Sequence, residues 1–402
     1  MRFPELAKVR LALIAVAMIP AACSAHKGTE ADAGNDGGGA DLARRDRVAE
    51  HGYDDAARPG VLGEPLAGSD RQWTWVSFPE AHCRDGSATG IGLNLSSTSK
   101  NLVLFLDQGG ACFDPLTCAQ NASGYDAASF ATDTNRHWFD TGIFNRTDPD
   151  NPARDWSFVL VPYCTGDVHS GNQPSGVVPM LGPQEFSGYH NLDVFLSRVV
   201  PTFSDAQQVL FAGSSAGGFG ALLNADHVAR WFAPVPITVI SDSGPPMPTS
   251  AVAPCLEKRW LDTWGLDRGP MLDCGVDCPS SSDYMVDQVL HFGWRYPTYR
   301  AGLISSTGDE TIRMFFSFGV NDCNPDRITA ANVSPEAYLA GLTSLRDTMT
   351  AEHASFGTFL LGGQTRHIWL MDDIPFAASV GGTSIKQWVG ALLNGNVTNV
   401  GP

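Results

Sequence analysis

Short apolar runs recur along the chain at 101–106, 156–161, 208–212, 237–240, 301–305 and 357–361. Each is continuously hydrophobic rather than alternating, the pattern of a strand covered on both faces. Between them lie stretches with helical spacing, at 191–200, 217–232, 335–349 and 384–393. Strand followed by helix, repeated, predicts an α/β fold: a doubly wound, mostly parallel central sheet with helices on both faces. The rhythm breaks over 245–300, which is rich in Pro, Trp and Tyr and carries Cys255, Cys274 and Cys278. That segment reads as a disulfide-containing cap insertion.

The N-terminal part has a different character. Lys8 and Arg10 precede an apolar run from Leu11 to Ile19, followed by small residues, so 1–22 reads as a secretory signal peptide too short to span a membrane permanently. Cys23 follows Ala21-Ala22 directly, which reads as a bacterial lipoprotein site with an acylated thiol anchoring the chain to the membrane. Pro20 near that cysteine keeps simple cleavage and release open as the alternative. Residues 23–70 are rich in Gly, Ala, Asp and Arg and read as a disordered tether. Residues 71–402 then form one large catalytic domain.

Composition narrows this picture. The chain has nine cysteines, and setting Cys23 aside leaves eight, an even number in an exported chain. Up to four disulfides are expected, with connectivity open among about 105 pairings. A zinc site at Cys274 and Cys278 would need a second ligand pair that the sequence does not offer. The net charge of −17 argues against nucleic acid and anionic membrane surfaces as partners.

The chemistry concentrates after the run Val209 to Ala212, which ends in Gly213-Ser214-Ser215-Ala216-Gly217 and continues into the small-residue stretch Gly218 to Leu223. Strand, Gly-x-Ser-x-Gly, helix is the nucleophile elbow, with Ser215 at the turn; the plain alternative is a Gly-rich turn. A serine hydroxyl needs a base, and the base needs an acid to hold its tautomer. Among His227, His291, His353 and His367, only His367 follows a strand-like run through a loop, and it is the candidate base. Two acids follow strands: Asp309, later in the order and preferred, and Asp242, which could equally be a turn residue in Ser241 to Pro245. Amides for an oxyanion would come from Ala216 and from the loop Gln108 to Cys112.

At these residues the chain resembles the pectin acetylesterase family, which also contains Notum. The matching pieces are Cys83 to Ser87, Gly109-Gly110-Ala111-Cys112 with Cys118, Tyr163 to Gly171, Gly213 to Gly218, and the loops of Asp309 and His367. The resemblance implies an α/β-hydrolase fold, several disulfides and carboxyl-ester hydrolysis without metal or organic cofactor. It implies Ser215 as nucleophile, Asp309 as acid, His367 as base, and amides of Gly110, Ala111 and Ala216 at the oxyanion. Asp167 and His169 are expected to shape the pocket rather than react. Gln108 stands where the family's loop has another Gly, and Ala111 stands where plant and animal members have an aromatic. The expected activity is an exported serine carboxylesterase removing an acyl group, most simply acetyl, from a polysaccharide such as pectin or from a small ester. A lipid or polyester esterase and a catalytically inactive surface-binding lipoprotein are the alternatives.

Overall fold

Continuous apolar runs bury both faces of a strand, and in the computed structural model they assemble one eight-stranded sheet. The structure describes residues 59–278, 283–320, 322–324, 333–352 and 354–402. The segments read as signal peptide and tether, with Cys23 and up to residue 58, lie outside these residues. The strands of the sheet are β1 (Thr74–His82), β2 (Ala88–Asn94), β3 (Leu102–Leu106), β4 (Ser157–Val161), β7 (Val209–Ser214), β8 (Ile237–Asp242), β9 (Arg300–Ser306) and β10 (Phe356–Leu361). β5 (Gln173–Val178) and β6 (Gly182–Phe186) form a separate antiparallel hairpin. The sheet order is β1-β2-β4-β3-β7-β8-β9-β10, with β4 through β10 parallel and β1 and β2 antiparallel at one edge. All six expected strands are present, and their parallel pairing follows from burial on both faces.

The antiparallel edge pair was not legible as a run, because β1 mixes exposed, half-buried and buried positions and β2 interleaves glycines at 90 and 92. The helix expected over 217–232 is instead two helices, Ala216–Leu223 and Ala225–Phe232. Asn224 makes the break: its buried side-chain amide donates to the carbonyls of Gly220 (2.8 Å) and His169 (3.1 Å) and to Ser170 Oγ (2.9 Å). Residues 63–66 run along the helix Gly188–Thr202, where the Leu66 side chain is buried and its N–H donates to Thr202 Oγ1 at 2.7 Å.

The insertion carries three helices, Pro254–Trp264, Pro270–Cys274 and Tyr284–Arg295. Cys274–Cys278 closes a short loop within it, so these thiols are used in a disulfide rather than offered to a metal. Cys255–Cys323 ties the insertion to the segment after the helix Glu310–Phe316. Cys83–Cys164 joins the ends of β1 and β4, and Cys112–Cys118 closes the loop after β3. Four disulfides suit an oxidising compartment outside the cytoplasm. Unfolded but unreduced protein should therefore titrate with at most one thiol per chain, that of Cys23; two or more reactive thiols would contradict the pairing.

His227 joins the insertion to the body of the domain. Its buried ring faces Asp193 Oδ1 at 2.8 Å through Nε2, and Asp273 Oδ2 at 3.1 Å and the Tyr189 hydroxyl at 2.9 Å through Nδ1. Arg230 pairs with the same Asp273 and with Asp226. Carboxylates at both ring nitrogens call for the imidazolium, whose two N–H groups both donate. Burial alone would push the His227 pKa down, but the carboxylates of Asp193 and Asp273 outweigh it and hold the pKa above its ordinary value. A pKa raised by folding gives stabilisation that is complete below the unfolded value of about 6.5 and is lost as pH rises through the folded value. In denaturant titrations His227→Gln should cost about 3–5 kcal/mol at pH 6 and less at pH 9. Equal costs at both pH values would show that His227 is not charged in the fold.

Candidate active site

The elbow is built by close approach. β7 ends at Ser214, and Ser215 turns the chain with φ 57° and ψ −117° into the helix Ala216–Leu223. A Cβ on Gly213 would lie 2.2 Å from the carbonyl oxygen of Gly217, and one on Gly217 would lie 2.0 Å from that of Leu106 in β3. Only glycine fits at either place. The Ser215 N–H donates to the carbonyl of Asp242 at 2.7 Å, which ties the turn to the end of β8.

β3 and β7 are sheet neighbours, yet the chain leaves them toward opposite edges, β3 to β4 and β7 to β8. Such a reversal opens a crevice at the carboxyl ends of the strands. The loop after β3 lines that crevice and is held from several sides. His169 Nε2 donates to the Asp107 carbonyl (2.8 Å), Asn121 Nδ2 to the Gly109 carbonyl (2.5 Å), and the Cys112 N–H to the Gly166 carbonyl (2.6 Å). The Trp264 indole donates to the Cys112 carbonyl at 2.8 Å. The Tyr163 ring packs under Gly109, where a Cβ would sit 2.1 Å from it. Carbonyl and following N–H point in opposite directions in a trans peptide, so the Asn121 bond also sets the direction of the Gly110 N–H.

Asp309 and His367 come together after β9 and β10. Asp309 is fully buried and caps the helix Glu310–Phe316, with Oδ1 accepting the N–H groups of Thr311 and Ile312, both at 3.0 Å. Its Oδ2 accepts from His367 Nδ1 at 2.8 Å. A proton on Nδ1 leaves Nε2 of the neutral ring as an acceptor. That Nε2 is buried and has no hydrogen-bond partner, so Ser215 and His367 are not bonded to each other. The ring's loop is stitched to the loop after β9 by Ser306 Oγ donating to the Arg366 carbonyl (2.5 Å) and by the Gly308 N–H donating to the Gln364 carbonyl (3.0 Å).

The rival acid, Asp242, makes no bond to the His367 ring. It is not a solvent-facing turn residue either: it is fully buried at the end of β8, with its carboxylate receiving the N–H groups of Trp369 and Leu370. Burial pushes its carboxyl pKa up, against the opposing pull of those N–H groups. Asp167 and His169 are also buried and do not touch the cavity, although Val168 between them does. Burial pushes the His169 pKa down to about 4, so the ring is neutral and acts as a fixed donor to the β3 loop. Asp167 accepts from Thr165 Oγ1 (2.5 Å) and the Gly188 N–H (2.8 Å), which knits the same stretch together.

Ser215, Ala216, Gly110 and Ala111 all line one cavity of about 500 Å³, including its open mouth. Its other walls are almost wholly apolar: Phe219 and Leu223 from the elbow helix, Trp260 and Trp264 from the insertion, and Phe315 and Phe316 from the helix after Asp309. Asn121, Tyr163 and Trp264, which hold the β3 loop, were not singled out in the sequence for this work. Their only signal was membership of the Cys112–Cys118 and Tyr163–Gly171 stretches or of the insertion.

A serine at a strand-to-helix elbow on a mostly parallel sheet, with a paired acid and histidine after later strands, is the arrangement of an α/β-hydrolase. A family model described as Pectinacetylesterase matches residues 69–255. The chain is 33% identical to palmitoleoyl-protein carboxylesterase notum2 of Xenopus laevis over 150 residues, 37% of this chain and 30% of that protein. It is likewise 33% identical to human palmitoleoyl-protein carboxylesterase NOTUM over 152 residues, 37% of this chain and 30% of that one. It thus matches under a third of these relatives' length. The structure of the Wnt deacylase Notum from Drosophila shares the fold, with a TM-score of 0.56 at 19% identity over 83% of this chain and 96% of that one. The chain is thus similar to the pectinacetylesterases over residues 69–255, and to Notum carboxylesterases over a stretch of 150 to 152 residues.

Proposed function

We propose that this protein is a serine carboxylesterase in which Ser215, His367 and Asp309 carry the reaction. The observation that supports this best is that Ser215 opens into a cavity shared with Gly110, Ala111 and Ala216 in a domain where Asp309 bonds His367 Nδ1 at 2.8 Å. Ser215 Oγ attacks the ester carbonyl while His367 Nε2 takes its proton. The amides of Ala216 and of Gly110 and Ala111 receive the oxyanion. Collapse of the tetrahedral intermediate breaks the C–O bond, and the leaving alcohol takes the proton from Nε2. Water repeats the sequence on the acyl-enzyme and frees the acid. Asp309 keeps the proton on Nδ1 throughout.

For the acyl group, the cavity favours the lipid-type reading over acetyl. Two indoles and several phenyl rings offer an acetyl group far more apolar surface than its one methyl can cover, whereas each methylene of a longer chain gains about 0.8 kcal/mol on burial there. Measured on p-nitrophenyl esters, kcat/KM should rise about fourfold per methylene from acetate until the cavity is full. A maximum at acetate would favour the acetylated polysaccharide instead.

A fluorophosphonate probe should label wild-type protein at Ser215, and failure to label would favour an inactive binding protein. Ser215→Ala and His367→Ala should each lower kcat by about 10⁴–10⁶, with the double variant no worse, since the two act as one unit. Asp309→Asn should lose on the order of 10⁴ through the wrong imidazole tautomer. If Asp309→Asn turns over at near wild-type rate, the acid is another residue.

A further inference from the structure

Three non-glycine residues with left-handed backbone meet around the end of β8: Ser215 (φ 57°), Ser243 (φ 59°) and Ile368 (φ 59°). For a β-branched residue such as Ile368 this conformation is an outlier that persists only where the surroundings impose it. The surroundings here are Asp242 and Ser243. Ser243 Oγ accepts the Ile368 N–H at 3.2 Å. Asp242 accepts the Trp369 N–H at 2.8 Å on Oδ2 and 3.0 Å on Oδ1, and the Leu370 N–H at 2.9 Å on Oδ2. The three consecutive N–H groups after His367 are thus all received by one dipeptide.

The same residue also grips the nucleophile's side. Asp242 Oδ2 accepts from Ser214 Oγ at 2.7 Å, and its main-chain carbonyl accepts the Ser215 N–H at 2.7 Å. No other residue described here bonds both the serine's elbow and the backbone that follows the histidine. We propose that Asp242 is a positioning residue: a buried clamp that fixes the His367 loop relative to the Ser215 elbow. The inference rests on the esterase reading above, because its consequence is the registry between Nε2 and the serine hydroxyl.

An amide at this position keeps the shape but turns an NH₂ group toward at least one of the converging donors, so the loop has to shift. A displacement of about 1 Å in the reacting geometry costs roughly 10²-fold in rate. Asp242→Asn should therefore lower kcat per active site about 100-fold while KM stays within about threefold. Fluorophosphonate labelling of Ser215 should slow by a similar factor yet reach the wild-type fraction at completion. A merely structural role would do the reverse, lowering the fraction labelled and sparing the rate of each labelled site. Should Asp242→Asn fail to fold, Ser243→Ala leaves the Asp242 carboxylate in place but removes the acceptor of the Ile368 N–H and the hydroxyl that donates to Asp242 Oδ1 at 3.2 Å, and it should show the same split at about tenfold, the size of a hydrogen bond. Full kcat per site in Asp242→Asn, or in Ser243→Ala where the first does not fold, overturns the clamp and leaves the esterase reading standing if wild type is labelled. A wild type that neither labels nor turns over overturns the esterase reading and the clamp with it.

Discussion

The contact on which the site depends is the packing of the elbow helix directly onto β3, backbone against backbone. Gly217 lies so near the Leu106 carbonyl that a single Cβ would reach 2.0 Å from it. That approach draws the first turn of the helix Ala216–Leu223 beside the loop following β3, so residues from two distant parts of the chain line one cavity. It also explains the small residues that make up Gly213 to Ala221 apart from Phe219, a poor helix by propensity that is tolerated because these positions are all buried. Anything that widened the Gly217–Leu106 gap would separate Ser215 from Gly110 before it altered either residue.

The β3 loop itself cannot be rigid by virtue of its own sequence, since Gly109 and Gly110 bring conformational freedom rather than order. Its order is imported. His169, Asn121, Gly166 and Trp264 each bond a different main-chain group of residues 107–112, and the Cys112–Cys118 bridge closes it from behind. The neutral state of His169 matters to this, because a buried imidazolium would demand an acceptor for its second nitrogen as well. The Tyr163–Gly171 stretch is thus scaffold for a loop some fifty residues earlier in the chain.

The fold was legible in the sequence wherever burial is two-sided. Six parallel strands announce themselves as continuous apolar runs, whereas β1 and β2, with one face toward solvent or glycine in place of side chains, do not. The break at Asn224 was hidden because asparagine in a helical stretch looks like an exposed polar position until its three acceptors are known. In the site, strand ends pointed to the loops of both Asp242 and Asp309, and only the later place of Asp309 in the strand order favoured it in the sequence. The distinction lies in which partner each carboxylate meets, the imidazole ring for Asp309 and backbone N–H groups for Asp242. Contacts of this kind, spanning 58 and 127 residues, leave no periodic trace.

The insertion completes the argument, because it both closes the cavity and braces the loop. Ala111 offers the cavity only a methyl from the β3 loop, and the insertion supplies aromatic surface through Trp260 and Trp264, stacked 6.0 Å apart. Trp264 is the hinge of this arrangement: one face lines the cavity, while its N–H holds the Cys112 carbonyl. The apolar wall and the amides proposed to receive the oxyanion therefore share a support. On the esterase proposal, an acyl chain packed on Trp264 would bear on the same loop that offers the oxyanion amides, linking burial of the chain to rate as well as affinity. That coupling depends on the insertion staying seated. The burden falls on Cys255–Cys323 at one end and on the His227 cluster at the other, where charged groups hold Asp273 against the helix Ala225–Phe232.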